Sequence, residues 1–178
     1  MIKICCWHFA GPTLRDGSPH PAPGVPLPTI ADPLPCARGY HGSERLIDAL
    51  IYAPGPWLAQ VELSGTVIPH GTPTDKHAAS DRVGLTPYID ISDVLVQFAR
   101  TCALRALRIH APAALRSAGL HEHAATLAAL PDDCDLSAAA NAAWAAWAAG
   151  DAARAAAWAA EMAVLDVLLT SALAAKGE

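Results

Sequence analysis

The side chains best suited to chemistry in this sequence gather around the segment Gly39-Tyr40-His41-Gly42-Ser43. The glycines on either side of His41 let the backbone come close to a ligand. Ser43 stands where a helix is predicted to begin, with free N–H groups that favour an anion. Lys76 and Arg82 follow downstream as two cations that we expect to be exposed. Together these residues predict a ligand site formed by Ser43, Lys76 and Arg82, with a nucleotide or phosphate as its occupant.

A purely structural role for the same residues is the alternative interpretation. In that case Ser43 only caps the helix, His41 only hydrogen-bonds the strand end, and Lys76 belongs to a solvated loop. The two interpretations differ in whether these side chains converge on one pocket.

Metal-site and catalytic motifs are absent at the spacings that would identify them. Cys36 and His41 have four residues between them, and no second pair follows at a zinc-site distance. His121 and His123 would lie about 200° apart on a helix, so they do not face one ion. We therefore predict no metal site and no cofactor, and find no P-loop, GxGxxG or GxSxG motif. A cysteine–histidine catalytic pair stays open, although cysteines in apolar sequence are usually core residues.

The elements that must position these residues form one strand–helix–strand unit between Cys36 and Gly65. A short strand is predicted to end at Gly39-Tyr40-His41, and a helix to run from Glu44 to Tyr52, capped by Ser43. Pro54-Gly55 ends that helix, because proline breaks its hydrogen-bond ladder. The alternation of apolar and polar residues from Trp57 to Leu63 predicts a half-buried strand.

The rest of the first 110 residues is predicted to build a body around this unit. Eight prolines in residues 11–35 exclude helix and central strand, so this stretch is expected to be an extended excursion lying against the body. The remaining predicted elements, in chain order, are a strand from Ile2 to Phe9, a strand end followed by a polar loop over 66–81, a returning strand over 82–88, and a helix from Asp93 to Arg108 capped by Asp90 or Ser92.

Residues 111–178 are predicted to form an alanine-rich helical appendage. Gly150-Asp151 reads as the turn of a helical hairpin, because glycine is favoured just past a helix end and aspartate at a helix start. Trp144, Trp147 and Trp158 supply the apolar area that alanine lacks. The hairpin either packs on itself and docks on the body, or presents these tryptophans to a partner or a second copy of the chain.

Composition limits the class of protein. The chain has 178 residues, a formal net charge of −5 and no Lys/Arg cluster, which argues against nucleic-acid binding. No apolar run is long enough for a transmembrane helix, and the apolar part of the N-terminus is too short for a secretion signal. Five cysteines without a CxxC pair favour reduced thiols. We therefore expect a cytoplasmic protein that binds neither nucleic acid nor membrane. Its fold class is α+β, with a mixed body over 1–110 and the helical appendage over 111–178.

A first resemblance extends over most of the chain. The segments that carry this resemblance are Cys36-Ala-Arg-Gly-Tyr-His-Gly-Ser, the DALIYAPG and VELSG segments that follow it, and the stretch from Asp75 to Arg82. In these segments the chain resembles an uncharacterised family of phage and prophage proteins, whose members often carry AAAWAA-type repeats at the C-terminus. The resemblance implies a small phage-type accessory protein in a bacterial host. We expect it to act by binding a protein partner, with a host-encoded defence component as the candidate.

A second resemblance covers only the central unit. A strand, His-Gly-Ser, a helix, a tyrosine and a further strand look like part of the ADP-ribosyltransferase fold, in which His, Tyr and Glu line the NAD pocket. His41, Tyr52 and Glu62 have these residue types and are the catalytic candidates that the resemblance implies. The spacing from His41 to Tyr52 is short for that fold. The alternative function is therefore an ADP-ribosyltransferase-like enzyme, with NAD as its cofactor, or a nucleotide-binding protein.

Overall fold

The computed structural model describes residues 2–134, together with Thr170 and Ala174. The predicted C-terminal hairpin and Trp144, Trp147 and Trp158 lie outside the described residues. The chain divides into two compact units, a sheet unit that includes the residues up to Leu95 together with Thr170 and Ala174, and a helical unit that begins at Val96. The fold is mixed α+β, as predicted.

The sheet unit is built on an antiparallel sheet of five strands: β1 (Lys3–Ala10), β2 (Tyr40–Gly42), β3 (Trp57–His70), β4 (Lys76–Gly84) and β5 (Ile89–Asp90). The strand order is β1-β3-β4-β2, and β5 pairs with β3. The long central hairpin, β3–β4, pairs from Val61 opposite Gly84 to His70 opposite Lys76. A buried cluster of Cys6, Val61, Leu63 and Ala79 forms part of the core.

The sheet curls until its first strand meets the end of its last. The Trp7 N–H donates to the Ser43 carbonyl over 2.7 Å, and the Ser43 N–H donates to the Trp7 carbonyl over 3.0 Å. A Cβ on Gly42 would lie 2.6 Å from the Cβ of Cys6, so only glycine allows this approach. These contacts close the four strands into a ring.

Ser43 therefore does not cap a helix, and the capping prediction is wrong. The helix after it, α1, runs only over Leu46–Ile51, and the residue at its cap position is Arg45, which makes no side-chain cap bond. Ser43 is 1% exposed, because its backbone serves as an extra rung between β1 and β2. Local sequence favoured a cap, and pairing with a distant strand overrode it.

The β3–β4 hairpin corrects two further predictions. The strand predicted to end at Leu63 continues to His70, past a register shift between Ser64 and Val67. The residues from Lys76 to Asp81, predicted as a polar loop, form most of β4, and the strand predicted over 82–88 is only the end of it. β4 is rich in alanine and charged residues, which have low strand propensity, so its pairing with both neighbours decides its structure.

Part of the proline-rich excursion over 11–35 pairs with β4. The short strand β2 pairs with only the first part of β4. Along the rest of β4, three backbone N–H groups of the excursion donate hydrogen bonds to its carbonyls. Gly24 donates to Gly84, Leu27 to Arg82 and Ile30 to Ser80, at 2.9 to 3.0 Å. Pro26 and Pro28 occupy positions between these donors, where no N–H is required.

The helical unit begins inside α2 (Ser92–Arg105), a helix predicted over Asp93–Arg108. The carboxylate of Asp90 accepts the Ser92 N–H over 2.8 Å at its start. A π-helical turn, α3 and α4 follow, with Leu115, Ala124 and Leu127 in their core. Their bounds are Ala106–His110, Ala111–Ser117 and His121–Ala128. None of the helices in the described part of the chain has the length and apolar character needed to cross a lipid bilayer.

Candidate functional site

His41 lies between two clusters of polar side chains in the sheet unit. It pairs with Ala78 of β4, and residues two apart on a strand share a face, so Lys76 and Arg82 lie on the same side of β4 as Ala78. Burial lowers the pKa of His41, and the positive charges of Lys76 and Arg82 lower that pKa further, followed by His70. The pKa of His41 is thus lowered by both cations, of which Lys76 lies toward one end of β4 and Arg82 toward the other.

The first cluster, called here the arginine cluster, consists of Arg82 and the rings around it. Arg82 is only 8% exposed, and its guanidinium carbon lies 5.0 Å from the centre of the Tyr40 ring. His8 meets the Tyr88 ring edge-on at 6.1 Å, and His20 stacks on the same ring at 3.9 Å. The members of the arginine cluster are His8, His20, Tyr40, His41, Arg82 and Tyr88.

Burial governs the protonation of this cluster. It lowers the pKa of His8 well below the usual range, and the charges of Arg82, His41 and His20 add to that effect, while a hydrogen bond to the His41 backbone opposes it. Burial also raises the pKa of Tyr88, against the influence of Arg82. His8 and His41 are therefore neutral and Tyr88 is a phenol at neutral pH, and Arg82 supplies positive charge to the cluster.

No carboxylate in the described part of the chain pairs with Arg82. The neighbouring Asp81 accepts hydrogen bonds from Thr29 and Ser80 instead. The groups that act on the Arg82 pKa, besides burial, are the two phenols of Tyr88 and Tyr40. A charge removed from water without a partner is costly, so this position calls for an anion.

Three polar atoms of the arginine cluster are buried without a hydrogen-bond partner in the described structure: His20 Nδ1, His41 Nε2 and the Tyr88 hydroxyl. Buried polar atoms are nearly always hydrogen-bonded. A phenol donates and a guanidinium offers five donors, which suits a ligand with several acceptor oxygens. The chemical requirement is thus an oxyanion.

The second cluster, called here the thiol cluster, lies at the turn end of the β3–β4 hairpin, where β3 ends at His70 and β4 begins at Lys76. The Lys76 ammonium stacks over the Tyr52 ring at 3.6 Å and donates to the Cys36 sulfur over 3.1 Å. His70, which pairs with Lys76 across the hairpin, places Nε2 at 3.7 Å from the same sulfur. The Tyr52 hydroxyl donates to Asp75 over 2.7 Å, and this bond is the first cause that raises the Tyr52 pKa to about 12.

The predicted ligand residues are only partly brought together. Ser43 is held by Trp7, and α1 is too short to present an anion site, whereas Lys76 and Arg82 flank His41. The expectation that both cations are exposed is wrong, because Lys76 is 6% and Arg82 8% exposed. Each cation is covered by an aromatic ring, Tyr52 over Lys76 and Tyr40 over Arg82.

Of the catalytic candidates, His41 and Tyr52 both neighbour Lys76, but Glu62 lies apart. Its carboxylate accepts from Lys3 at 2.8 Å, beside β1. Glu62 precedes His70 by eight positions on the same strand, a separation of roughly 26 Å at the usual rise. The trio that the ADP-ribosyltransferase resemblance implies therefore does not converge.

Sequence reasoning missed most of the arginine cluster and the contacts of Cys36. Tyr88 follows Arg82 by only six positions, but His8 is far from Arg82 along the chain and reaches the cluster only through the curled sheet. A signal for the thiol cluster existed, because Gly71 and Pro73 are turn residues and would place the flanking His70 and Lys76 opposite each other in a hairpin. The polar, alanine-rich composition of β4 concealed it.

No family model, curated protein or solved structure matches this chain. Within the described residues, no group of three or more histidine, cysteine or acidic side chains is arranged to hold a metal ion. The candidate site therefore stands on its own geometry.

Proposed function

We propose that this protein binds a small oxyanion, such as the phosphate of a nucleotide, in the arginine cluster. The observation that carries the proposal is Arg82, which is buried, charged and without an anionic partner in the described chain. Buried cations in proteins are normally paired, so the missing partner is the ligand.

The neighbouring unpartnered atoms define the ligand further. Arg82 supplies charge, Tyr88 a hydroxyl donor, and His41 a ring nitrogen that donates or accepts according to its tautomer. A bidentate oxyanion fits a guanidinium best. The geometry thus favours the nucleotide-binding part of the alternative function, while the position of Glu62 gives no support to ADP-ribosyl transfer.

Calorimetric titration of the full chain with inorganic phosphate, AMP and NAD tests this proposal. We expect binding of at least one of these anions, and a loss of about tenfold or more in affinity in Arg82→Gln, because a charged hydrogen bond is worth about 1.5–3 kcal/mol. Arg15→Gln makes the same change at an exposed position and serves as the matched control. Absence of heat with all three anions, or equal binding by Arg82→Gln, would overturn the proposal.

Partner binding is the second candidate function, and it keeps the phage-type accessory role in a bacterial cytoplasm that the resemblance implies. Exposed apolar side chains of the helical unit favour it, with Val96 69% and Ile109 51% exposed. If Trp147 and Trp158 anchor a partner or a second copy, replacing both by alanine lowers the melting temperature or dissociates an oligomer. Unchanged melting temperature and unchanged mass in solution would remove this candidate.

A further inference from the structure

Cys36 has the surroundings of a nucleophile. Its side chain is exposed, so a substrate can reach the sulfur. Lys76 donates to that sulfur over 3.1 Å, and His70 Nε2 lies 3.7 Å away. A thiol needs a base to take its proton and positive charge beside it to act as a nucleophile at neutral pH. The thiol cluster provides both groups on one sulfur.

The two partners are held in place by the fold rather than by chance surface contact. His70 and Lys76 are directly paired across the β3–β4 hairpin, which fixes their side chains next to each other. Lys76 is almost fully buried, clamped between the Tyr52 ring and the sulfur, and Asp75 orients Tyr52 through its hydroxyl. Tyr52 and Asp75 are thus positioning residues for Lys76.

The backbone at Cys36 is also unusual. Its φ is 63°, in the left-handed region that favours glycine, and the turn from Leu34 to Arg38 holds it there with two hydrogen bonds between these residues. Such strain is found most often at functional sites. Here it presents the sulfur to the end of the hairpin.

We infer that Cys36 is the nucleophile of an acyl-transfer site that takes activated esters or thioesters, with His70 as its base and Lys76 as the stabiliser of the oxyanion. The Cys36 proton passes to His70 Nε2 as the sulfur bonds to the carbonyl carbon. The carbonyl electron pair moves to oxygen, then returns and expels the alkoxide or thiolate, which takes the proton from His70. Water then attacks the resulting thioester, gives its proton to His70, and releases the acid and the Cys36 thiol.

The position of the Lys76 ammonium indicates that the reaction is acyl transfer rather than alkylation. An oxygen on a carbon bonded to sulfur is only two bonds from that sulfur, so it lies within reach of a donor already in contact with the sulfur. A cation in this position stabilises a developing oxyanion and contributes little to a simple alkylation. This site is separate from the arginine cluster, and either function can fail without the other.

The test uses the full chain and p-nitrophenyl acetate, with nitrophenolate release followed by absorbance and the acetylated residue identified by peptide mass spectrometry. Cys5 is the internal control, because it is the other exposed cysteine and lies opposite Glu62, a carboxylate already paired with Lys3. We expect acetylation of Cys36 at least about tenfold faster than that of Cys5 in the same molecule. Equal rates in the parent protein would overturn the inference without any variant.

Variants then separate the roles. We expect Cys36→Ser to abolish the rapid release, His70→Gln and Lys76→Met each to slow it about tenfold or more, and Cys5→Ser to leave it unchanged. Circular dichroism checks that each variant is folded, and alkylation by iodoacetamide gives the specific readout. Lys76→Met is expected to slow acetylation more than alkylation. An equal effect on both reactions would contradict the oxyanion role of Lys76.

Discussion

Arg108 of the helical unit and Arg82 of the sheet unit are in opposite electrostatic situations. Arg108 bonds the Asp132 carboxylate over 2.6 Å, and Arg100 of the same unit donates to the backbone carbonyls of Asp132 and Cys134. Arg82 is buried against aromatic rings, and no carboxylate among the described residues pairs with it. The partly exposed Arg108 thus has a counter-charge, whereas the buried Arg82 has none in the described part of the chain. This difference is the basis of the proposed oxyanion site.

The contrast between the two arginines depends on the closed ring of strands that keeps Arg82 buried. The substitution Gly42→Ala is expected to disrupt this ring most strongly. The added methyl group would lie 2.6 Å from the Cβ of Cys6, so β1 and β2 must separate. We expect a loss of about 3 kcal/mol in the free energy of unfolding, measured by urea denaturation. Gly84→Ala is the matched control, because its nearest contact would be 3.8 Å away and its effect should stay within about 1 kcal/mol. Equal stabilities of the two variants would argue against a tightly closed ring.

Exchange of each arginine for methionine tests the comparison directly. In a buffer free of phosphate and sulfate, Arg82→Met is expected to raise the free energy of unfolding by about 1–2 kcal/mol, because it removes an uncompensated buried charge and keeps contact with the rings. Arg108→Met should change it by less than about 1 kcal/mol, since its partner Asp132 is exposed. Destabilisation by Arg82→Met would mean that Arg82 already has an anionic partner.

The buried histidines of the sheet unit are expected to make its stability depend on pH. The pKa values of His8 and His41 are lowered below the ordinary 6.5 in the folded state, so the unfolded chain binds more protons below that pH. Stability is therefore full above about pH 6.5 and falls as the pH drops toward the folded-state pKa values, by at most about 1.4 kcal/mol per pH unit for each histidine.

Thermal unfolding between pH 7.5 and 5, two values chosen about one unit or more to either side of the ordinary histidine pKa, measures this slope. His8→Gln should flatten it, and His123→Gln, an exposed histidine of the helical unit, should leave it unchanged. Saturation with a bound oxyanion should also reduce the slope, because negative charge favours protonated histidine. If His8→Gln leaves the slope of stability against pH unaltered, groups other than His8 cause the loss of stability in acid.

The sequence predicted the elements with strong local signals. The strands at Lys3–Ala10 and Trp57, the helix after Asp90 and the extended run of prolines all follow from periodicity, capping or backbone restriction. β4 could not be predicted in this way, because its alternation of Lys76, Ala78, Ser80 and Arg82 does not separate apolar from polar residues. Its strand structure comes from pairing with β3, β2 and the excursion, which is information that no local window holds.

The two clusters are predictable from sequence only in part. His41, Lys76 and Arg82 stand out by residue type, and they belong to the clusters. The ring closure removes the cap geometry that singles out Ser43, and the length of β3 separates Glu62 from the thiol cluster. Tyr88 lies only six positions after Arg82, but the local sequence does not indicate that its ring stacks on His20. His8 and Cys36 join their clusters through contacts between distant segments, for which their own neighbours in sequence give no signal.

The ring closure also bears on the kinetics of folding. β1 pairs with a strand about sixty residues away, as Lys3 opposite Ser64 shows, and the closing bridge joins Trp7 to Ser43. Such long loops must be closed before their contacts give any stabilisation, so folding of the sheet unit is expected to be slow compared with that of a local helical hairpin. The arginine cluster includes His8 of β1 and His41 of β2, the two strands that meet where the ring closes. The cluster is therefore complete only when these two strands have paired. An oxyanion that binds there would stabilise the closed ring against its open precursors and slow its unfolding.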